Sequence, residues 1–304
     1  MRVLLDPPTG PLALDDDLVV RGDNLAVLPH LPDGSFDMIY IDPPFNTGKA
    51  QARATLRAVA DAEGGTRTGF AGRRYRTEKV EGPAMAYADS FDDLPAYLEP
   101  RLLEARRLLA DHGTLYVHLD PRESHYVKVL LDALFGRRCF LNELIWAYDY
   151  GAKPRRRWPA KHDVILMYVK DRDAYWFDDA EVDREPYMSP GLVTAEQRAR
   201  GKRPTDVWWH TIVPTSGAER TGYPTQKPLG VVRRCVAASS RPGGWCLDFF
   251  AGSGTLGAAA RALGRRFVLV DASADAVDVC AARLGGGDEG GGDATPASTT
   301  PAAR

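Results

Sequence analysis

A glycine-rich turn lies close to the C-terminal end of this 304-residue chain. A short apolar run over residues 245–249 leads into Gly252 and Gly254, and a helical pattern over residues 255–263 follows. Such a turn lets the backbone approach a ligand closely, and the helix that begins there offers free N–H groups. Only one further strand pattern, at residues 266–270, and one helix follow the turn. A sheet built around it can therefore close only if N-terminal strands lie beside the C-terminal ones, which is a circularly permuted order.

Short apolar runs that end at an acidic residue or a turn alternate with helical patterns along the whole chain. Because this alternation is typical of mostly parallel sheets that are buried on both faces, we predict an α/β fold with a Rossmann-like sheet. The predicted strands cover residues 18–20, 36–41, 114–119, 141–148, 163–169, 245–249 and 266–270, and the predicted helices cover residues 24–31, 94–110, 122–135 and 255–263.

Three segments fall outside this alternation. Residues 49–87 are basic and weakly periodic, which predicts a long and partly mobile insertion. Residues 178–221 carry few regular signals and are expected to form a small accessory or target-recognition region. Residues 285–304 contain almost no apolar mass, which predicts a disordered tail. On this interpretation, residues 1–177 and 222–284 are the two parts of one domain.

The composition is that of a globular protein, with 44% hydrophobic and 26% charged residues. No uncharged apolar stretch reaches the length of about 18 residues that a spanning helix needs, and the N-terminal apolar run is too short for a signal peptide. We therefore expect a cytoplasmic protein without a membrane partner. The four cysteines are scattered and form no CxxC pair, so neither a disulfide framework nor a metal site is expected.

The formal net charge of −2 is unevenly distributed. Residues 49–79 carry eight basic and three acidic side chains, and residues 153–161 carry five basic side chains and no acidic one. Two basic segments on an otherwise acidic chain predict a polyanionic partner at one face. The simpler alternative is that both segments are solvated, arginine-rich loops.

A second motif follows the predicted strand at residues 36–41, namely Asp42, Pro43, Pro44 and Phe45. The prolines fix φ and remove two N–H donors, so the turn presents a carboxylate and carbonyl oxygens as acceptors. The exocyclic amine of adenine or cytosine is a poor nucleophile because its lone pair is delocalised into the ring. Hydrogen bonds from that amine to Asp42 and to the Pro43 carbonyl would favour a tetrahedral nitrogen, while Phe45 stacks on the base. The same tripeptide at residues 6–8 lacks the aromatic residue and is expected to be structural.

The glycine turn alone leaves its ligand open. Gly252, Gly254 and Gly257 satisfy GxGxxG, and Asp271 lies where a ribose-binding acid belongs in a dinucleotide fold. The late position of the turn argues against the usual dinucleotide fold. Asp248, just before the turn, suits a ligand with an amino-acid end, since a carboxylate accepts hydrogen bonds from an ammonium group. This points to S-adenosylmethionine.

Together these motifs resemble the β-class amino-methyltransferases of DNA, in which the DPP-aromatic motif comes first and the FxGxG motif last. The resemblance spans residues 18–282 and includes the segments GDNLAVLPHLPDGSFDMIYIDPPFNTG, KHDVILMYVK, YPTQKPL and LDFFAGSGT. It implies a seven-stranded sheet whose strands three to seven come from the N-terminal half. It also implies methyl transfer from S-adenosylmethionine to an amine of a base flipped out of duplex DNA.

The resemblance further implies roles for individual residues. Asp42 to Phe45 would form the catalytic turn, Asp271 would hold the ribose hydroxyls, and Asp23 would hold the adenine amine. The remaining expected cofactor contacts are Thr225, Lys227, Asp248, Phe250, Gly252, Ser253, Gly254 and Thr255. The DNA contacts are expected from the two basic segments instead, and are Arg73, Arg74, Arg155, Arg156, Arg157 and Lys161. Two features depart from the family pattern: Tyr223 stands where the family usually has His, and the insertion after residue 48 is long and basic.

Several alternatives stay open at this point. Asp42 in the first motif position favours adenine N6, but cytosine N4 chemistry remains the main alternative. Cytosine C5 chemistry is disfavoured because no Pro-Cys dipeptide occurs. More distant alternatives are a glutamine side-chain methyltransferase, an NAD-linked oxidoreductase, and a DNA-binding module that holds the cofactor without catalysis. A homodimer and a cognate restriction endonuclease are both compatible with the sequence, which does not decide either.

Two further groups of residues have open interpretations. His118 and Asp120 end a predicted strand, where a role behind the catalytic residues and simple packing are about equally supported. Trp208 and Trp209 could stack on bases, but packing within the accessory region is favoured.

Overall fold

The structure is a computed structural model. It describes residues 1–44, 93–151, 154–214 and 217–285 with their side chains, together with the backbone of five short strands between residues 51 and 87. The described residues form fourteen strands and seven α-helices. The strands are β1 (Arg2–Leu4), β2 (Leu18–Arg21), β3 (Phe36–Ile41), β4 (Gln51–Arg53), β5 (Leu56–Ala60), β6 (Arg67–Thr68), β7 (Arg74–Lys79), β8 (Met85–Tyr87), β9 (Leu109–Leu119), β10 (Phe140–Ala147), β11 (His162–Val169), β12 (Val207–Trp209), β13 (Trp245–Asp248) and β14 (Arg266–Asp271). The helices are α1 (Asn24–Val27), α2 (Leu94–Leu108), α3 (Ser124–Phe135), α4 (Ala195–Arg200), α5 (Leu229–Ser239), α6 (Thr255–Ala262) and α7 (Ala274–Gly285).

One large sheet organises the molecule. Its nine strands follow the order β1-β2-β14-β13-β3-β9-β11-β10-β12, and neighbours are parallel except in the two pairs that include β11. The C-terminal strands β13 and β14 lie between the N-terminal strands β2 and β3. The α/β fold and the permuted order predicted from the late glycine turn are therefore confirmed.

The sheet is larger than the seven strands that the resemblance implies. All seven predicted strands are present and occupy consecutive positions from β2 to β10, while β1 and β12 extend the two edges. Each of these added strands has three residues, which is too short to show a periodic pattern. β12 falls within the segment predicted to be accessory. In it Trp208 is buried, as favoured, whereas Trp209 is 74% exposed.

Two helical layers cover the sheet. On one face, α1, α2 and α3 bury an aliphatic stripe that includes Leu98, Leu102 and Leu131 against β2, β3 and β9. On the other face, α5, α6 and α7 pack on residues that include Tyr40. Neither α5 nor α4 had been predicted. The predicted helix at residues 24–31 is divided into α1 and a 3-10 turn, because a proline follows directly after Leu28.

Strand β9 is longer than predicted. The apolar pattern placed its start at Thr114, but the strand begins at Leu109, directly after α2. The reason is that Leu109 already pairs with Phe36 of β3, before an irregularity in register that hides the alternation.

The insertion and the tail differ in part from expectation. Residues 49–87, predicted to be a long and partly mobile insertion, contain β4 paired with β8, and β7 paired with both β5 and β6, all antiparallel. Gly285, predicted to begin the tail, ends α7. Residues 286–304 lie outside the described residues, as do Phe45 and Arg73. No helix in the described parts of the chain is long and apolar enough to cross a bilayer.

Candidate active site

Three neighbouring parallel strands place carboxylates at their C-terminal ends, which lie on the same side of the sheet. Asp42 directly follows β3, Asp248 ends β13 and Asp271 ends β14. A cleft of about 350 Å³ lies among them, within the range of about 300–1,000 Å³ typical of small-molecule sites. Its walls include the predicted residues Asp23, Asp42, Pro43, Pro44, Thr225, Lys227, Asp248, Phe250, Gly252, Ser253, Thr255 and Asp271. The structure thus gathers the two motifs, which are about two hundred residues apart in sequence, around one cavity.

The carboxylates make the cleft strongly acidic. Asp248 is 4% exposed, and its Oδ1 accepts a hydrogen bond from the Phe250 N–H at 2.9 Å. Burial, reinforced by the nearby charges of Asp42 and Asp271, raises the pKa of Asp248 well above its ordinary value. Burial also raises the pKa of Asp271. A cation placed among these groups would favour their ionised forms, so the cleft is suited to a positively charged ligand.

Asp42 is held by Lys227, which lies in the YPTQKPL segment between the two motifs. The ammonium of Lys227 contacts Asp42 Oδ2, and both side chains are largely buried. The other carboxylate oxygen, Asp42 Oδ1, is buried and receives no hydrogen bond from any residue that the structure describes. Because an unsatisfied buried acceptor is unfavourable, Oδ1 is placed to accept from a ligand donor. The resemblance had implied that Lys227 closes the cofactor pocket, and its contact with Asp42 was missed.

The two glycines of the turn have different roles. Gly252 has φ +49°, and an added Cβ would lie 3.2 Å from the Tyr223 ring at the cleft wall. Gly252 N–H donates to Asp271 Oδ2 at 2.8 Å, which ties the turn to the end of β14. Gly254 has φ +70°, and an added Cβ would lie 2.9 Å from Cys280 Sγ of α7. Gly254 does not line the cleft. Gly254 thus has a packing role, because only a residue without Cβ allows α7 to approach, and its predicted contact with the cofactor stays a prediction.

The hydroxyl groups of Ser253 and Thr255, in the glycine turn, are held in place by hydrogen bonds. Ser253 Oγ and Thr255 Oγ1 are 3.1 Å apart, and Thr255 Oγ1 donates to the Lys227 carbonyl at 3.3 Å. Arg283 of α7 donates to the Ser253 carbonyl at 3.0 Å and to Thr255 Oγ1 at 3.1 Å. The glycine turn and the lysine segment therefore form one connected wall.

The opposite wall contains residues that the sequence analysis missed. Asp23 caps α1 and lies 3.5 Å from Arg101, which is 5% exposed. Arg101 stacks on the Tyr97 ring at 3.8 Å and donates to Asn24 Oδ1 at 2.6 Å. The rings of Tyr97 and Phe250 both line the cleft and contact each other, with ring centroids 6.3 Å apart. The sequence signal that could have identified this wall is Arg101, which lies on the otherwise apolar face of α2.

Thr225 carries backbone strain at the cleft. It is the one non-glycine residue among those described with a positive φ, at 59°. A β-branched residue in this conformation is unfavourable, and such strain is concentrated at functional sites. The observation supports the predicted place of Thr225 in the pocket wall.

The basic loop between β10 and β11 lies at the same end of the sheet as the cleft, which is the end where β3, β13 and β14 terminate. Ala147 pairs with His162, and Val164 pairs with Leu119, so the loop begins and ends beside the end of β9. Its three arginines are exposed and form no ion pair with any described residue; they are Arg155, Arg156 and Arg157.

The loop is braced at its base. Lys161, predicted as a phosphate contact, donates to two carbonyl oxygens at the start of the loop at 2.6 and 2.9 Å. Next to the arginines, Trp158 is 93% exposed. Arg74 lies in β7, and the predicted contacts Phe45 and Arg73 lie outside the described residues. Arg155, Arg156, Arg157 and Lys161 thus lie in a loop at the same end of the sheet as the cleft.

The second Asp-Pro-Pro tripeptide lies elsewhere. The Asp6 side chain is 89% exposed and pairs with Arg21 at 3.5 Å, and neither it nor the following prolines line the cleft. The position of this copy agrees with its predicted structural role.

This chain is similar to known proteins both in sequence and in fold. A family model described as DNA methylase, for N6 and N4 methyltransferases, matches residues 36–282. DNA adenine methyltransferase YhdJ of Escherichia coli (strain K12) is 27% identical over 275 residues, which cover 88% of this chain and 82% of that protein. The solved PvuII DNA methyltransferase (cytosine-N4-specific) aligns with a TM-score of 0.59 at 13% identity, over 92% of this chain and 89% of that one. The M1.HpyAVI–SAM complex aligns with a TM-score of 0.55 at 19% identity, over 88% of this chain and 98% of that one. Since the family match covers most of the chain and these structures share its fold, the chain belongs to the DNA methylase family of N6 and N4 methyltransferases.

Proposed function

We propose that this protein transfers a methyl group from S-adenosylmethionine to the N6 amine of adenine in duplex DNA. The observation that carries the proposal is Asp42 Oδ1, a buried acceptor that no described residue satisfies, in a cleft lined by three further carboxylates. Family membership, the permuted strand order and the DPP and FxGxG motifs support a β-class enzyme.

The cleft fits S-adenosylmethionine by charge and by shape. The cofactor carries an ammonium and a sulfonium group, and the buried Asp248 and the half-buried Asp271 can supply the negative charge that such a ligand requires. Asp248 is expected to hold the ammonium, Asp271 the ribose hydroxyls, and Asp23 the adenine amine. Gly252 allows the backbone to approach, while Phe250 and Tyr97 form an aromatic wall. When bound, the cofactor supplies a methyl group activated by the sulfonium charge.

The protein's own part in the chemistry is to prepare the amine. Lys227 holds Asp42 Oδ2, which leaves Oδ1 to accept one amine hydrogen. The Pro43 carbonyl accepts the other, and Pro44 keeps this turn rigid. Two acceptors on the same amine draw its nitrogen toward a tetrahedral geometry, so that its lone pair becomes available. Phe45 completes the site by stacking on the base.

The choice of adenine rests on the motif and on a relative. Asp occupies the first position of the motif, which favours adenine N6, and YhdJ is named a DNA adenine methyltransferase. The PvuII enzyme, named cytosine-N4-specific, has the same fold, so the fold does not discriminate between the two bases. Cytosine N4 is accordingly the alternative substrate.

The DNA is expected to lie across the cleft edge of the sheet. The three arginines of the β10–β11 loop are exposed beside the cleft and would contact phosphates. Arg73, Arg74 and Lys161 are the further phosphate contacts that we propose. Residues 178–221 would contribute to recognition of the target sequence.

The proposal is tested by identifying the methylated base. Purified protein is incubated with labelled S-adenosylmethionine and duplex DNA from a methylation-free host, and the DNA is digested to nucleosides. We expect the label in N6-methyladenine. Label only in N4-methylcytosine would overturn the base assignment and leave the chemistry in place, whereas an absence of label in DNA would overturn the function.

A further inference from the structure

A chain of hydrogen bonds runs behind the cleft to the base of the basic loop. Tyr40 lies on β3, two residues before Asp42, and its side chain is fully buried and contributes to the cleft wall. Tyr40 Oη lies 2.6 Å from His118 Nδ1, and His118 Nε2 lies 3.1 Å from Asp163 Oδ2. The chain ends at Tyr148, whose hydroxyl donates to Asp163 Oδ1 at 2.9 Å.

The positions of the protons follow from the chemistry of the partners. Although burial opposes ionisation, hydrogen bonds from His118 and Tyr148, together with the charge of Lys227, hold the pKa of Asp163 below its ordinary value. Asp163 is therefore an acceptor, and His118 carries its proton on Nε2. His118 Nδ1 then holds a lone pair, so the Tyr40 hydroxyl must donate to it. The lone pairs of Tyr40 Oη remain as acceptors beside the cleft.

We propose that Tyr40, His118 and Asp163 form a proton relay that accepts the proton released by the target amine. This inference rests on the proposed function. When the amine nitrogen forms its bond to the methyl carbon, the bond of that carbon to the cofactor sulfur breaks and its electron pair stays on the sulfur. The nitrogen becomes positively charged and must lose one proton. That proton passes to Tyr40 Oη through a hydrogen bond or one bridging water, while the phenolic proton of Tyr40 moves to His118 Nδ1. The electron pair of the broken N–H bond stays on the methylated nitrogen, and the new imidazolium is held by the Asp163 carboxylate.

Asp42 does not make this relay redundant. Its Oδ2 is already occupied by Lys227, so Asp42 is suited to orient the amine rather than to remove charge from the site. His118 is completely buried, but Tyr148 is only partly buried and leads into the β10–β11 loop, which gives the proton a route toward solvent.

Ionisable groups from several neighbouring elements surround the relay. Those that interact with its members are Asp42, Asp120, Cys235, Asp248 and Lys227. The edge of the Trp146 ring system also packs against the imidazole, with centroids 5.6 Å apart, and keeps it in place.

The first test measures the proton positions without any reaction. The chain has six histidines, so selective ¹⁵N labelling allows His118 to be assigned by comparison with the His118→Asn variant. We expect the Nε2–H tautomer in the resting full-length protein, and a shift of the Nδ1 resonance in Tyr40→Phe. An Nδ1–H tautomer would overturn the relay, because Nδ1 could not then receive a proton.

The second test measures the single-turnover rate of DNA methylation against pH with saturating cofactor. Tyr40→Phe and His118→Asn should each lower the rate by about 10²-fold, the lower end of the range for general acid–base catalysis. In the wild type the rate should fall at low pH, where Nδ1 is already protonated, and His118→Asn should remove this dependence. Cofactor affinity, measured by calorimetry, should fall far less than the rate, since Tyr40→Phe removes only a hydroxyl group from the cleft wall and His118 does not line the cleft.

The control is Tyr116→Phe. Tyr116 is as buried as Tyr40 and is its direct neighbour in register on β9, but its hydroxyl pairs with Ser239 Oγ at 2.7 Å and does not line the cleft. It should retain the wild-type rate and the wild-type His118 resonances. An active wild type with equally active Tyr40→Phe would overturn the relay alone, whereas a wild type that methylates no DNA would overturn the proposed function and the relay with it.

Discussion

The buried carboxylate of Asp248 links the stability of the ligand-free protein to pH. Burial raises its pKa in the folded state, so the folded protein retains a proton that the unfolded chain releases as pH rises. The stabilising effect of this proton is complete below the unfolded pKa and is lost as pH rises through the folded one. At neutral pH, Asp248 therefore destabilises the ligand-free protein, while its charge serves the ligand.

Asp248→Asn should reverse both effects. The variant should unfold at a higher temperature than wild type at neutral pH without ligand, since no charge is then buried. Its affinity for S-adenosylmethionine should fall by at least about tenfold, because the ammonium group loses its carboxylate. Thermal unfolding and calorimetry measure the two quantities. A variant that is less stable at neutral pH and binds the cofactor as tightly as wild type would show that Asp248 is a structural residue.

At the scale of single elements, two glycines of one turn have different surroundings: Gly252 lies at the cleft, and Gly254 packs against α7. Gly252 faces the cleft, and an added methyl group would meet the Tyr223 ring at 3.2 Å. Gly254 faces α7, and an added methyl group would meet Cys280 Sγ at 2.9 Å within the packed layer. Both glycines have positive φ, so backbone strain is common to both substitutions and the difference reports on surroundings.

Gly252→Ala should mainly weaken the binding of S-adenosylmethionine, and Gly254→Ala should mainly lower stability. We expect Gly254→Ala to lower the free energy of unfolding by about 1–3 kcal/mol, as overpacking in a core does. Gly252→Ala should lose less stability but reduce cofactor affinity more. Denaturant unfolding and calorimetry on both variants provide the comparison. The opposite ranking in both assays would mean that the roles of the two glycines have been exchanged.

The elements could be predicted where a local pattern carries the information. Apolar runs that end at Asp42, at the glycine turn and at Asp271 identified β3, β13 and β14, because strands in parallel sheets combine an apolar body with a polar residue or a turn at the end. Three-residue strands such as β1 and β12 were missed because their pairing comes from neighbours in space. The bulged register of β9 likewise depends on its partner strand.

The sequence predicted which residues belong to the candidate site better than it predicted the contacts that these residues make. Most residues of the two motifs line the cleft as expected. The contact of Lys227 with Asp42 joins residues 185 positions apart and has no local signal. The positions of Arg101 and Tyr97 depend on how α2 packs, and the role of Gly254 depends on α7. These features follow from tertiary packing, which periodicity and spacing do not encode.

At the scale of the whole molecule, positive charge is concentrated where the DNA is expected. The chain has a net charge of −2, yet the loop between β10 and β11 presents three exposed arginines at the cleft edge. Two other exposed arginines, Arg137 and Arg138, precede β10 at the opposite edge of the sheet and pair with acidic residues. Comparison of the two groups separates a local DNA contact from a general effect of charge.

The triple substitution Arg155→Ala, Arg156→Ala and Arg157→Ala should change the salt dependence of DNA binding. Each phosphate contact contributes about −0.9 to the slope of log affinity against log salt concentration, so the slope should flatten by roughly two to three units. Binding titrations at several salt concentrations measure it. The double substitution Arg137→Ala and Arg138→Ala should leave the slope unchanged. Equal effects of the two sets, or an unchanged slope in the triple variant, would require another DNA face.

The central claim is that Asp42 accepts a hydrogen bond from the target amine as the methyl group is transferred. The chain contains its own control, since Asp6 belongs to an identical Asp-Pro-Pro tripeptide that is exposed and lies outside the cleft. The decisive measurement is the single-turnover rate of methyl transfer to DNA for wild type, Asp42→Ala and Asp6→Ala at saturating cofactor. Asp42→Ala should lose about 10²–10³-fold, as expected for one group that stabilises a transition state, while Asp6→Ala keeps the wild-type rate. A folded Asp42→Ala variant that transfers methyl groups at nearly the wild-type rate would contradict the account.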